Sequence, residues 1–197
     1  MTLLVKICGL REARHVDAAV DAGADAVGFV FADSVRQVAP ADAAAICVKV
    51  PSQIKRVAVM LHPANDEWQV VLQDFQPDVL QADAEDFAAL EVPGSIEQWP
   101  VFREGGAPPR TTGTFLFEGV KSGQGETVDW SRAAGFAKNG KMILAGGLAT
   151  HNIAAAIALV RPFGVDVSSA VESTPGQKDI RLISEFVIAA RAAEKDQ

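Results

Sequence analysis

The sequence predicts an α/β chain folded as a single (β/α)8 TIM barrel, and three observations carry that prediction. Eight short apolar runs of strand length alternate with helix-period segments from one end to the other. The runs are almost continuously apolar, as in Val27-Gly28-Phe29-Val30-Phe31, which suits a parallel sheet covered by helices on both faces. With 197 residues, 49% of them hydrophobic, the chain can bury one sizeable core but is too short for two ordinary domains, so residues 1–197 read as one domain. A doubly wound open sheet is the structural rival. Eight units in so short a chain, without a glycine fingerprint for a nucleotide after the first strand, favour closure.

The strands expected from these runs are Leu3 to Cys8, Ala26 to Phe31, Arg56 to Leu61, Val79 to Gln81, Pro100 to Arg103, Thr114 to Phe117, Met142 to Ala145 and Val165 to Ser168. Between the third and fourth, Trp68, Val71, Leu72 and Phe75 recur at i, i+3, i+4, i+7, the spacing of one buried helical face. Ile153, Ala156, Ile157 and Val160 repeat it before the eighth strand, and Ile180, Ile183, Phe186 and Val187 form a similar stripe in the last helix. Gly105-Gly106-Ala107-Pro108-Pro109 cannot be a helix interior, so the fifth crossover helix should be short or missing. Strand alternation adds a finer expectation. If Cys8 and Ser168 face the barrel interior, so do Lys6 and Asp166 two residues earlier, and neighbouring strands one and eight should bring those two charges together.

Composition narrows the function classes. A formal charge of −7 leaves no surplus of Lys and Arg for a phosphate backbone, which argues against nucleic acid. No uninterrupted apolar run approaches the ~18 residues of a membrane span, and the start, Met1-Thr2-Leu3-Leu4-Val5-Lys6, lacks the features of a leader; a soluble cytoplasmic protein is expected. Cys8 and Cys47 are too few for a disulfide framework and should be free thiols. His15, His62 and His151 share no spacing with each other or with a cysteine, so no metal site is expected.

In a parallel barrel, chemistry sits at the carboxyl ends of the strands. There Cys8 closes the first run; a thiolate could act as a base, although an isolated cysteine is ordinarily a small core residue, as Cys47 reads. Arg36, on the loop after the second run, could clamp a carboxylate, although most arginines are solvated surface charges. Glu118 ends the sixth run and could be a general acid; Asp129, farther on, reads better as a helix cap. Gly146-Gly147 after the seventh run and Ser168-Ser169-Ala170 after the eighth occupy the two loops where barrels build phosphate sites from backbone N–H groups and hydroxyls.

Taken in order, Lys6-Ile7-Cys8-Gly9, Ser34 with Arg36, Gly123 to Trp130, Gly146-Gly147-Leu148, Val165-Asp166-Val167-Ser168-Ser169 and Pro175-Gly176 with Lys178-Asp179 resemble the phosphoribosylanthranilate isomerase family of tryptophan biosynthesis. The resemblance implies an Amadori rearrangement of a phosphosugar without metal or organic cofactor, in a monomer or homodimer. It further implies Cys8 as base, an acid at Glu118, Arg36 on the substrate carboxylate, and Gly146, Gly147, Ser168, Ser169 and Ala170 around the phosphate. The chain departs from the family's pattern in several places. Glu118 stands for a usual Asp, and the loop before Asp129 is shortened to Gly123-Gln124-Gly125. Gln81-Ala82-Asp83-Ala84 replaces Gln-Leu-His-Gly, and Ala170 replaces a Gly. Two other readings stay open: an isomerase that also serves histidine biosynthesis, against which Cys8 speaks because that family uses an Asp base, and a non-catalytic phosphate-binding barrel.

Overall fold

The computed structural model describes residues 2–120 and 127–195. The Gly123-Gln124-Gly125 loop and Glu126 lie outside the described residues. Eight parallel strands close into a barrel in sequence order. They are β1 (Leu4–Cys8), β2 (Ala26–Val30), β3 (Lys55–Val59), β4 (Val79–Asp83), β5 (Glu97–Arg103), β6 (Thr114–Glu118), β7 (Lys141–Leu144) and β8 (Gly164–Val167). Six helices cover them: α1 (Ala13–Ala22), α2 (Pro40–Ile46), α3 (Asn65–Asp74), α4 (Trp130–Ala137), α5 (Ile153–Val160) and α6 (Ile180–Lys195). The crossover from β5 to β6 has no helix, as its glycines and prolines dictate, and the one from β4 to β5 holds only a 3-10 turn at Asp86–Ala89. A short hairpin, β9 (Glu172–Thr174) and β10 (Gln177–Lys178), precedes α6.

Local chemistry sets the helix ends. Gly23 stops α1 at φ 95, where its N–H returns to Ala19 and Val20 carbonyls. Asp129 caps α4 by accepting from the Ser131 and Arg132 amides, which makes it the cap its sequence context suggests. Asp179 does the same for α6 through the Arg181 and Leu182 amides. The stripe of α5 is fully buried, and so are Ile183, Phe186 and Val187 of α6; Ile180, expected in that stripe, is the first residue of α6 and is 45% exposed.

Many strand ends differ from the sequence reading by one residue, β3 stops two residues early at Val59, and two further differences bear on the site. β4 continues past Gln81 to Asp83, and β5 starts at Glu97, three residues before Pro100. Pro100 ordinarily marks a strand start because it has no N–H to donate. Here the ladder to β6 begins only at Val101, so on that side Pro100 leaves no bond unmade.

Alternation then sorts the side chains. Val5, Ile7, Val27, Phe29, Phe115, Phe117, Val165 and Val167 face the helices in one apolar cluster, while Ala26, Val57, Val79, Trp99, Val101, Leu116 and Ile143 fill the barrel. Lys6 and Asp166 share this interior. They are direct partners across the β1–β8 seam, with Lys6 Nζ 2.9 Å from Asp166 Oδ1 and Lys6 wholly enclosed. Burial opposes the lysine's charge, but the Asp166 and Cys8 groups beside it outweigh that and hold its pKa above the ordinary value. Removing one partner of such a pair strands the other in an apolar interior. Asp166→Ala should therefore cost about 3–5 kcal/mol in urea unfolding; a loss below about 1 kcal/mol would show that Lys6 finds water or another anion.

Candidate active site

The strand ends converge on a cavity of about 220 Å³ at the barrel mouth. Cys8, Arg36, Glu118 and Ser168, four of the residues singled out from the sequence, line it together, joined by Gln81, Asp83, Arg103 and Asp166. Alternation explains the set: counting inward positions along each strand leads from Lys6 to Cys8, from Leu116 to Glu118, and from Asp166 to Ser168.

Cys8 is 7% exposed and sits at the mouth end of β1, opposite Gly28 of β2. A Cβ on Gly28 would come within 3.1 Å of both Cys8 Sγ and Lys6 Cε, so the glycine makes room for the two reactive side chains. Burial pushes the Cys8 thiol up, while the neighbouring Lys6 ammonium favours the thiolate and offsets part of that. Cys47, at the end of α2, is pushed up to about 12 by burial and lies away from the mouth; its chemistry is that of a core thiol.

Arg36 is held bidentately by Glu172, with Nε and Nη2 at 2.7 and 2.8 Å from its two oxygens, and this hydrogen-bonded carboxylate raises the guanidinium's pKa. Glu172 also accepts from Lys178 Nζ at 2.8 Å. Although burial opposes the Glu172 charge, these two cations keep its pKa low. The cluster thus joins two cations to one anion, and Arg36 Nη1 has no partner among the described residues. Gly9, at φ 77, fits between Arg36 and Ser168: a Cβ there would meet Arg36 Cδ at 2.7 Å.

The two presumptive phosphate loops are brought side by side by the pairing of β7 with β8, but of their residues only Ser168 lines the cavity. Gly146 and Gly147 take positive φ, 88 and 62, and a side chain on Gly147 would strike the Thr127 backbone at 2.6 Å, so glycine is required. Asn152 anchors this loop by donating to the Gly147 carbonyl at 2.8 Å. Ser168 donates to the Cys8 carbonyl and accepts from Lys178. Ala170 lies in a 3-10 turn over Ser169–Val171 and is not among the positive-φ residues, so replacing glycine there carries no backbone strain.

Across the mouth, Arg103 bridges Asp83 and Glu118. Its Nη2 and Nε lie 2.7 and 3.3 Å from the Asp83 oxygens and its Nη1 2.5 Å from Glu118 Oε1. Burial works against the Arg103 charge, but Glu118 and Asp83 raise its pKa. His62 stands outside them, Nδ1 3.0 Å from Asp86 and Nε2 3.6 Å from Asp83; the bond to Asp86 raises its pKa. His62, Asp83 and Asp86 are the cluster among the described residues whose ligand atoms lie close enough for a cation, within 4.8 Å. Each carboxylate already accepts from a cationic or N–H donor, and we assign the trio to ion pairing. Buried Gln81 Oε1 has no hydrogen-bond partner among the described residues, and Gln81 belongs to the same lining. Arg103, Glu172 and Lys178 carried no chemistry in the sequence reading; the signal for Arg103 was its place at the end of a strand, two residues beyond inward Val101.

A family model described as N-(5'phosphoribosyl)anthranilate (PRA) isomerase matches residues 5–189. The N-(5'-phosphoribosyl)anthranilate isomerase of Pelobacter propionicus is 38% identical, with 98% of this chain and 97% of the relative covered. That of a Roseiflexus species is also 38% identical, covering 96% and 98%. Among solved structures, the phosphoribosyl anthranilate isomerase of Thermus thermophilus superposes with a TM-score of 0.83 at 27% identity, covering 96% of this chain and 99% of that one. A phosphoribosyl anthranilate isomerase in complex with reduced 1-(o-carboxyphenylamino)-1-deoxyribulose 5-phosphate gives 0.76 at 29%, covering 97% and 100%.

The buried thiol makes its own prediction. Because burial raises the Cys8 pKa, the thiolate share at neutral pH lies below that of an ordinary thiol and grows about tenfold per pH unit. Alkylation of Cys8 by iodoacetamide, followed in a Cys47→Ser background, should climb steadily between about pH 7 and 9. A plateau already reached below about pH 7 would mean a preformed thiolate and contradict the burial argument.

Proposed function

The chain belongs to the N-(5'-phosphoribosyl)anthranilate isomerase family, and we propose that its barrel mouth performs that family's Amadori rearrangement with Cys8 as base and Glu118 as acid. The reaction converts N-(5'-phosphoribosyl)anthranilate to 1-(2-carboxyphenylamino)-1-deoxyribulose 5-phosphate in tryptophan biosynthesis. The observation that carries the assignment is that Cys8 and Glu118, from strands on different sides of the barrel, line one cavity together with Arg36 and Ser168.

Proton transfers suffice for this chemistry. Glu118 gives a proton to the ribose ring oxygen; the ring opens and leaves a Schiff base at C1. The Cys8 thiolate takes the C2 proton, the released pair forms the C1–C2 double bond, and the imine pair withdraws onto nitrogen. The resulting enolamine tautomerises to the ketose. Lys6 lies beside Cys8 and stabilises the thiolate whenever it forms. Arg36, held by Glu172 with Nη1 available, would bind the anthranilate carboxylate, and its cluster's excess of cations favours an anion there. The phosphate would bind at the glycine-lined turn after β7 and at Ser168, Ser169 and Ala170, so that both ends of the substrate are fixed and the reacting carbons fall between base and acid.

No described helix is long and apolar enough to cross a membrane. We propose a soluble, cytoplasmic enzyme, monomeric or homodimeric; the related Thermotoga maritima isomerase is a dimeric protein of which monomers have been generated, which supports either state.

Purified protein should turn over N-(5'-phosphoribosyl)anthranilate, Cys8→Ser should lose activity by several orders of magnitude while remaining folded, and Glu118→Gln should lose at least about 10²-fold in kcat. A fully active Cys8→Ser would refute the base, and a fully active Glu118→Gln the acid.

A further inference from the structure

We infer that Arg103 is a positioning residue for catalysis, fixing the carboxyl group of Glu118 toward the reacting substrate, and that Asp83 anchors Arg103 for that task. This rests on the reading of Glu118 as the acid. The geometry is specific. Arg103 and Glu118 are register partners on β5 and β6, so their side chains leave the sheet side by side and turn inward at the same level. Asp83, on β4, holds the other edge of the guanidinium through two contacts, Oδ1 to Nη2 at 2.7 Å and Oδ2 to Nε at 3.3 Å. All three side chains are mostly buried, at 10%, 23% and 13% exposure for Asp83, Arg103 and Glu118, and all three line the cavity that contains Cys8.

A glutamate at a strand end can swing about its extra torsion, and fixing such a side chain costs rotamer freedom at the moment of reaction unless it is fixed beforehand. Arg103 fixes it beforehand. A planar guanidinium gripped on one edge by Asp83 has little rotational freedom left, so its Nη1 points to one place, and Glu118 Oε1 is held there. A lysine at 103 would supply the charge without the two-edged geometry. His62, Nε2 at 3.6 Å from Asp83, closes the outer end of the chain of contacts.

The test is a double-mutant cycle in steady-state kinetics with N-(5'-phosphoribosyl)anthranilate, thermal melts showing that each variant is folded. Arg103→Gln should lower kcat about tenfold with KM changed less than threefold, because positioning acts on the chemical step rather than on binding. Arg103→Lys should recover part of that loss. In a Glu118→Gln background, Arg103→Gln should have almost no further effect on kcat. If Arg103→Gln does not fold, Asp83→Asn is placed in the same cycle and should show the same non-additivity with a smaller loss. Equal losses in the two backgrounds, or a raised KM at unchanged kcat, would overturn the positioning role while leaving Glu118 as acid intact. A fully active Glu118→Gln would instead remove the acid, and this inference with it.

Discussion

A lysine with no solvent exposure at the seam where β8 returns to β1 is the constraint on which the rest of the mouth depends. Lys6 must have an anion, and Asp166, its register partner, is the one the closed sheet supplies. A slip of one residue in either strand would turn that strand's charge toward the helices and leave both charges unpaired, so the pair locks the register of the seam. With register fixed, Cys8 and Ser168 lie one inward step above the pair, and the proposed base stands next to a cation that stabilises its thiolate. Structure and chemistry here use the same charge.

The mouth divides electrostatically. On one side Arg36 and Lys178 share Glu172, an excess of positive charge beside Ser168; on the other, Asp83 and Glu118 meet at Arg103. The first side suits an anionic group of a substrate, and in the proposed mechanism the second side carries the acid. Two of the departures from the family's sequence pattern, Asp83 in place of a histidine and Glu118 in place of an aspartate, turn out to be in contact with one arginine. The structure places both in one ion-paired cluster.

The barrel was legible because each strand carries a near-continuous apolar run and each helix stripe has the right period, and the Lys6–Asp166 pair followed from alternation alone. Strand ends were less legible. Asp83 reads as a loop residue because it is charged, yet it completes β4 through pairing with Val101, and only a partner strand, invisible in the sequence, decides that. Glu97 to Trp99 were hidden by the expectation that Pro100 starts its strand. That Cys8, Arg36, Glu118 and Ser168 gather at one cavity was legible because the mouth of this architecture is built from the strand ends and the loops that follow them. The partners of Arg36 could not, since Glu172 is 136 residues away in the chain. Nor was a 3-10 turn foreseeable at Ala170.

In the proposed mechanism Cys8 and Glu118 face the substrate from different strands, base at C2 and acid at the former ring oxygen. A crystal structure of this protein with the reduced product analogue, 1-(o-carboxyphenylamino)-1-deoxyribulose 5-phosphate in reduced form, tests it directly. The account predicts the phosphate at Gly147 and Ser169, the carboxylate on Arg36, and C2 within reach of Cys8 Sγ with Glu118 near the sugar oxygen. An analogue bound with its phosphate on Arg36, or with C2 beside Glu118 and away from Cys8, would contradict it.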